Sequence, residues 1–236
     1  MSPRTGRAVA TAPGRTNDAA APGPEESPSP ASLYDTIRSD ILGGAFDPAA
    51  LLQEVPMAER YRVSRTPVRE ALARLEHEGL VEKTGRGHRV RSGTAEDVLE
   101  VYEARIVLEG QAAASAAERR GELDLARLAH LHAAVLAGGQ EGEAERGTHS
   151  AWHATVWRAS HNRTIETLLH RLTAQLRIYD RGTRETPQDL EQTRAEHEAI
   201  LTAIRERRPD EARAAMTAHL TRAREVRLHR FGSETA

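Results

Sequence analysis

The sequence predicts a mainly α-helical protein of two units, and three observations carry that prediction. From Thr94 to about residue 230, apolar residues recur at helical spacing in segment after segment, with no strong strand signal. Between Val63 and Val81 a capped amphipathic helix presents arginines at its start. Directly after it, two short alternating stretches flank a glycine-bearing turn. These patterns read as an N-terminal winged helix-turn-helix over residues 31–92 and an all-helical bundle over 93–236, preceded by a disordered arm over 1–30 that is rich in Pro, Ala, Gly and Ser.

Composition narrows the chemistry. With 236 residues and 39% hydrophobic content the chain can bury two cores. It has no cysteine, which excludes disulfides, thiolate metal sites and cysteine nucleophiles, so any metal must be held by histidine and carboxylate. A net charge of −2 means that affinity for a polyanion must come from a local patch. No apolar run is long enough to span a bilayer and no hydrophobic signal core opens the chain, so a soluble cytoplasmic protein without membrane contact is expected.

The first helix is expected from Ser32, an N-cap, with Leu33, Ile37, Ile41 and Leu42 on one face and Gly43-Gly44 as its stop. A turn at Asp47-Pro48 leads to a short second helix near Pro56, with Met57 and Ala58 inward. The third helix has Ser64 as N-cap and Pro67 in the first turn, where a missing N–H costs nothing. Val68, Leu72 and Leu75 form its core stripe, Arg65, Thr66 and Arg69 lie at its N-terminal end, and Gly79 supplies a left-handed stop. Val81-Glu82-Lys83 and His88-Arg89-Val90 then form a hairpin around Thr84-Gly85-Arg86-Gly87.

The run Ser64-Arg65-Thr66-Pro67-Val68-Arg69-Glu70-Ala71-Leu72, with Leu75 and Glu78-Gly79-Leu80-Val81, resembles the DNA-binding domain of the GntR family of bacterial transcription regulators. Leu52, Glu54, Met57 and Ala58 match the same family pattern. The resemblance implies that the third helix enters the major groove and the wing tip approaches the minor groove. Arg65, Thr66, Arg69, Arg86, Gly87 and His88 are then the expected DNA contacts. Three positions depart from the pattern. Ala49 stands where a Pro-Gly turn usually has its glycine, which leaves the turn type open; Arg62 stands where a glycine is common, which demands a backbone that avoids positive φ or bears its cost; and Val55 stands where some relatives place a DNA-contacting arginine.

In the second unit, Val98, Val101, Leu108 and Ala112 make the first stripe, and Arg105 lies on it. A buried guanidinium needs an anion; Glu103 and Glu109 are read as pointing elsewhere, which leaves another helix or a ligand to supply it. A helix over about 124–136 puts Leu125, Leu128, Leu131, His132 and Val135 on its core side, with His130 and His132 read as rim residues. After a break at Gly138-Gly139 comes a helix from about Glu141 to Ala159, then one capped by Asn162, a loop from Arg181 to Pro187, and two more helices.

His149 and His153 are four residues apart on one helical face, and His197 and His219 sit inside apolar stripes of two later helices. Four histidines facing the inside of one bundle form a costly arrangement unless something binds there. Val101-Tyr102-Glu103-Ala104-Arg105, Trp152-His153, Ala159-Ser160-His161-Asn162, Glu196-His197 and His219-Leu220 resemble the effector-binding FCD domain of the FadR-like branch of the GntR family. That resemblance implies a divalent metal held by His153, His197 and His219, with His149 replacing the aspartate common in relatives. Zinc suits imidazole best, with nickel and copper as alternatives. An all-imidazole shell leaves the cation's charge uncompensated and favours a carboxylate ligand, for which Arg105 is the second anchor.

The expected function is a regulator that reads an operator in double-stranded DNA under the control of a small carboxylate effector; the resemblance implies a homodimer, hence a palindromic site, and repression relieved by the effector. Two alternatives remain at this point: a metal-dependent hydrolase, against which stands the absence of a His-Glu-x-x-His motif, and a metal-structured dimer without effector.

Overall fold

The computed structural model describes residues 30–47, 49–137, 143–179 and 186–234. The arm over 1–29, the Gly138-Gly139 break and the loop over 180–185 lie outside the described residues.

The first unit comprises α1 (Pro30–Leu42), β1 (Leu51–Leu52), α2 (Glu54–Tyr61), α3 (Arg65–His77), β2 (Val81–Thr84) and β3 (Gly87–Val90). The strands form one antiparallel sheet in the order β1-β3-β2, with Leu52 opposite His88 and Val81 opposite Val90. The sequence foretold two of the three. A two-residue strand carries no alternation to read, and β1 shows itself only through its pairing with β3. That pairing also explains Gly87, whose φ is 143° and whose added Cβ would stand 2.6 Å from the Leu52 carbonyl oxygen.

Leu33, Ile37 and Ile41 of α1 and Val68, Leu72 and Leu75 of α3 are each 0% exposed, because both sets recur at helical spacing and the two stripes face one another. Full burial of one such side chain contributes about 1.5–3 kcal/mol. That scale decides what happens at the two missing glycines: Ala49 adopts φ 62° and Arg62 φ 55°, both left-handed, at a cost of about 1–2 kcal/mol each. A core of this size holds both turns in place. Ser64 stands at the N-cap of α3 with an extended backbone, but its hydroxyl makes no cap hydrogen bond, so it favours the helix start by conformation alone. At the other end Gly79 is left-handed as foretold, with φ 74°.

The second unit consists of α4 (Ala95–Arg119), α5 (Glu122–Ala137), α6 (Glu143–Ala159), α7 (Arg163–Tyr179), α8 (Pro187–Arg205) and α9 (Pro209–Glu234). Reciprocal capping boxes start two of them. Thr94 and Asp97 open α4, and Thr186 and Asp189 open α8. Asn162 opens α7, its Oδ1 accepting from the Ile165 N–H at 3.2 Å. α4 is the central helix: it packs on α6, α7, α8 and α9, and Ala112, Ala113, Ala116 and Ala117 are all 0% exposed. Arginines close two C-termini. Arg120, just past α4, donates to the Arg205 carbonyl of α8 at 2.7 Å, and Arg207, just past α8, donates to the Glu118 carbonyl of α4 at 2.9 Å.

α7 also reaches the first unit. Gln175 Nε2 donates to the Glu78 carbonyl at 3.1 Å, and the Tyr179 ring lies against Gly93 so closely that a Cβ there would collide with it. Among the described residues, no helix is long and apolar enough to cross a membrane.

Candidate functional site

Two clusters of charge and lone pairs stand out, one at the start of α3 and one inside the bundle. At the first, the side chains of Arg65 and Arg69 are 62% and 61% exposed, and Thr66 is exposed beside them. Neither guanidinium is loose. Glu54, in the first turn of α2, accepts from Arg69 Nε at 2.8 Å and Nη2 at 2.9 Å, and from Arg65 Nη2 at 3.1 Å. The Arg69 and Arg65 hydrogen bonds hold the Glu54 carboxyl at about 2, so it is ionised throughout the neutral range. In the wing, Arg86 is exposed in the turn and its carbonyl accepts from Gln53 Nε2 at 3.2 Å, while His88 Nε2 lies 3.3 Å from Glu76 of α3. Sequence reasoning named Glu54 only as part of a pattern. The missed signal is an acid at the start of one helix that can face two arginines at the start of the next.

At the second cluster, α6, α8 and α9 bring His153, His197 and His219 together, all buried, with ligand nitrogens within 4.8 Å of one another. His149, one turn before His153, has its ring 5.3 Å from that of His197 and lies outside this trio. Carboxylates fix the tautomers of two members. His153 Nδ1 lies 2.7 Å from Glu109 and His219 Nδ1 lies 2.7 Å from Glu196. Burial pushes the Glu109 carboxyl up, but Arg105, His153 and Trp157 more than reverse it and leave it well below the usual range. Burial likewise raises Glu196, and His219 and Arg222 bring it down to about 2. Ionised carboxylates only accept, so each Nδ1 carries a hydrogen and each Nε2 is the nitrogen turned to the other ring.

Those two Nε2 atoms face each other at 3.3 Å. Opposed lone pairs repel unless a proton or a metal ion sits between them. Two imidazole nitrogens on one divalent ion at about 2.0–2.1 Å stand about 3–3.4 Å apart, so the observed separation fits. The third member has the same need: His197 is 0% exposed, is stacked on Trp152 at 3.9 Å, and neither ring nitrogen has a hydrogen-bond partner. Burial, with the surrounding histidines, holds its pKa well below the usual imidazole value, and burial pushes His149 down to about 4. The site therefore offers three converging imidazoles, those of His153 and His219 backed by carboxylates on the far side, and is consistent with a metal centre.

Two expectations need correction. Arg105 is buried, but its anion comes from its own helix: Glu109, one turn on, lies 2.6 Å from Nη2, because positions four apart share a face. Glu109 also accepts from Trp157 Nε1 at 3.0 Å, so one carboxylate serves Arg105, His153 and Trp157 together. His132 is not a rim residue; it is 4% exposed, with Nε2 2.7 Å from Glu198, while His130 is exposed.

Residues 31–90 match the profile of the bacterial regulatory proteins of the gntR family, and residues 100–222 match the FCD domain. The chain is a GntR family regulator with an FCD domain. The regulator is 31% identical over 208 residues to the HTH-type transcriptional regulator LutR of Bacillus subtilis, covering 79% of this chain and 95% of that protein. It is 28% identical over 201 residues to YdhC, an uncharacterized HTH-type transcriptional regulator of the same organism, covering 82% and 89%. Among solved structures, Escherichia coli McbR/YncC shares the fold with a TM-score of 0.70 at 20% identity, covering 85% of this chain and 97% of that one. The regulator binds DNA through its helix-turn-helix, and its relatives are transcription regulators and not enzymes, which sets the hydrolase reading aside.

Proposed function

We propose that this regulator binds a palindromic operator as a homodimer and represses until a small carboxylate effector binds at a divalent metal in the bundle. The working units are the arm over 1–30, the DNA reader over 31–92 and the effector and dimerisation unit over 93–236. The observation that carries the reading is the trio of His153, His197 and His219 with its two carboxylate supports. His149 joins from the same face of α6, and zinc is the expected ion, with nickel next.

Charge bookkeeping supports an anionic effector. Glu109 is neutralised by Arg105 and Glu196 by Arg222, so the imidazole shell brings no net negative charge to a divalent ion. A carboxylate from solution offsets that excess. Arg105 remains the second anchor, with the difference that its guanidinium enters the site already paired, so affinity rests first on the metal. At the other end, Arg65, Thr66 and Arg69 meet the major groove and Arg86, Gly87 and His88 the wing side. Effector binding shifts the population away from the DNA-competent dimer.

The closed Arg105–Glu109 pair also favours a second reading, a metal that only structures the dimer. One experiment separates them. Elemental analysis of the purified protein and of His153→Ala, His197→Ala and His219→Ala is expected to show about one divalent ion per chain, lost in each variant. Small carboxylates are then expected to raise the melting temperature of the metal-loaded protein and weaken its operator binding; metal without either effect leaves the structural reading.

A further inference from the structure

Three places in the described molecule hold polar groups whose role the proposed function leaves open: the shallow groove of Arg127, His130, Thr155 and Arg158, the contact of buried His132 with exposed Glu198, and the carboxylate between Arg65 and Arg69. The third carries an inference furthest. We infer that Glu54 is a specificity-determining positioning residue of DNA reading: it holds Arg65 and Arg69 as one oriented fork and cancels one of their two charges, so that binding depends on the right bases. This rests on the reading that Arg65 and Arg69 face DNA.

The geometry is specific. Arg69 is gripped along one edge, Nε and Nη2 each donating to a different carboxylate oxygen, and Arg65 shares Oε2 with it. A guanidinium bound along one edge is fixed in plane and direction, which a lone contact would not achieve. The grip is cross-helical, since Glu54 opens α2 while both arginines open α3. The neighbouring residue extends the arrangement: Gln53 donates to the Arg86 carbonyl, so consecutive side chains tie down the wing turn and the reading helix.

The charge balance gives this a consequence for recognition. Phosphate attraction is sequence-independent and supplies most of non-specific binding. Two free arginines would bring two charges to any duplex; with Glu54 they bring one. Base contacts demand orientation, which Glu54 supplies. One carboxylate thus weakens the indiscriminate contribution and favours the selective one.

The test uses the full-length protein and an operator selected by it from random-sequence duplexes, against an unrelated duplex of the same length, from 50 to 200 mM salt. Glu54→Gln keeps the size and removes the charge. It is expected to bind unrelated DNA several-fold tighter, to steepen the salt slope by up to about one per protomer, and to lower the ratio of operator to unrelated affinity about tenfold. Arg69→Lys, which keeps the charge and loses the fork, is expected to lower the same ratio. A ratio unchanged in both variants overturns the inference, as does a loss in Glu54→Gln confined to one base pair, which would make Glu54 a direct reader. Arg65→Ala with Arg69→Ala separates the two layers. If that double variant keeps its operator affinity, the DNA-facing assignment fails and this inference with it; if it loses operator binding while Glu54→Gln keeps the ratio, only this inference fails.

Discussion

The two functional clusters solve the same problem, holding cationic and lone-pair groups beside carboxylates, under opposite solvent conditions. At the DNA reader, Glu54 and its arginines stand in water, with the arginine side chains more than 60% exposed. In the bundle, Glu109 is 0% exposed and Arg105 and His153 are nearly so. Water decides what each carboxylate is worth. Exposed ion pairs contribute little to stability, so Glu54 can orient its arginines without the fold depending on it. Buried pairs cannot be broken singly without stranding a charge, which suits a scaffold that must present lone pairs at fixed separation. The same pairing is therefore an orienting contact of little weight in stability on one unit and a structural strut in the other.

The largest effect that would break this comparison is expected at Glu109. Glu109→Ala strands the Arg105 charge and leaves His153 Nδ1 and Trp157 Nε1 without acceptors, so unfolding by denaturant should show a loss of about 3–5 kcal/mol. Glu54→Gln, by contrast, should leave the denaturation midpoint unmoved; similar losses at the two sites would erase the distinction. Next comes His197→Leu, which removes two unpartnered buried nitrogens. In chelator-treated protein it should stabilise by about 1–3 kcal/mol, while metal no longer raises the melting temperature. A destabilised apo variant would mean that the ring has partners of its own.

Acid sharpens the contrast by a graded loss. His197 and His149 have folded pKa values below the ordinary 6.5, so the unfolded chain takes up protons first as the pH falls. Their contribution is complete above 6.5 and is lost as the pH drops from there towards about 4, the value for His149. Thermal melts of chelated protein across that range should show a falling midpoint, and metal-loaded protein should hold its midpoint further down. The smallest effect belongs to backbone. Ala49→Gly and Arg62→Gly each relieve a left-handed non-glycine residue and should raise stability by about 0.5–1 kcal/mol, read from denaturation midpoints with DNA affinity unchanged.

What was legible in the sequence and what was not divides along physical lines. Helical stripes such as Leu33-Ile37-Ile41 and the inward histidines were readable because periodicity is a one-dimensional record of which face is buried. The supports behind the site were not. Glu109 was in principle accessible, since four positions from Arg105 means the same face, and the reading erred there. Glu196 stands beside His197 in sequence yet serves His219 on another helix, a partnership that only tertiary packing creates. Strand β1 was hidden for the same reason, since it depends on a partner far along the chain, whereas His132 lay on the core stripe of its helix and its burial was legible there.

The docking of α7 on the first unit bears on modularity. Gln175 finishes the C-terminal end of α3 through the Glu78 carbonyl, and Tyr179 occupies the space that a side chain at position 93 would fill. The reading head is thus keyed to this bundle. A head transplanted from a relative would seat here only if it brought a glycine after its reading helix and another at the joint, so these units are exchangeable parts only when the small residues at their seam travel with them.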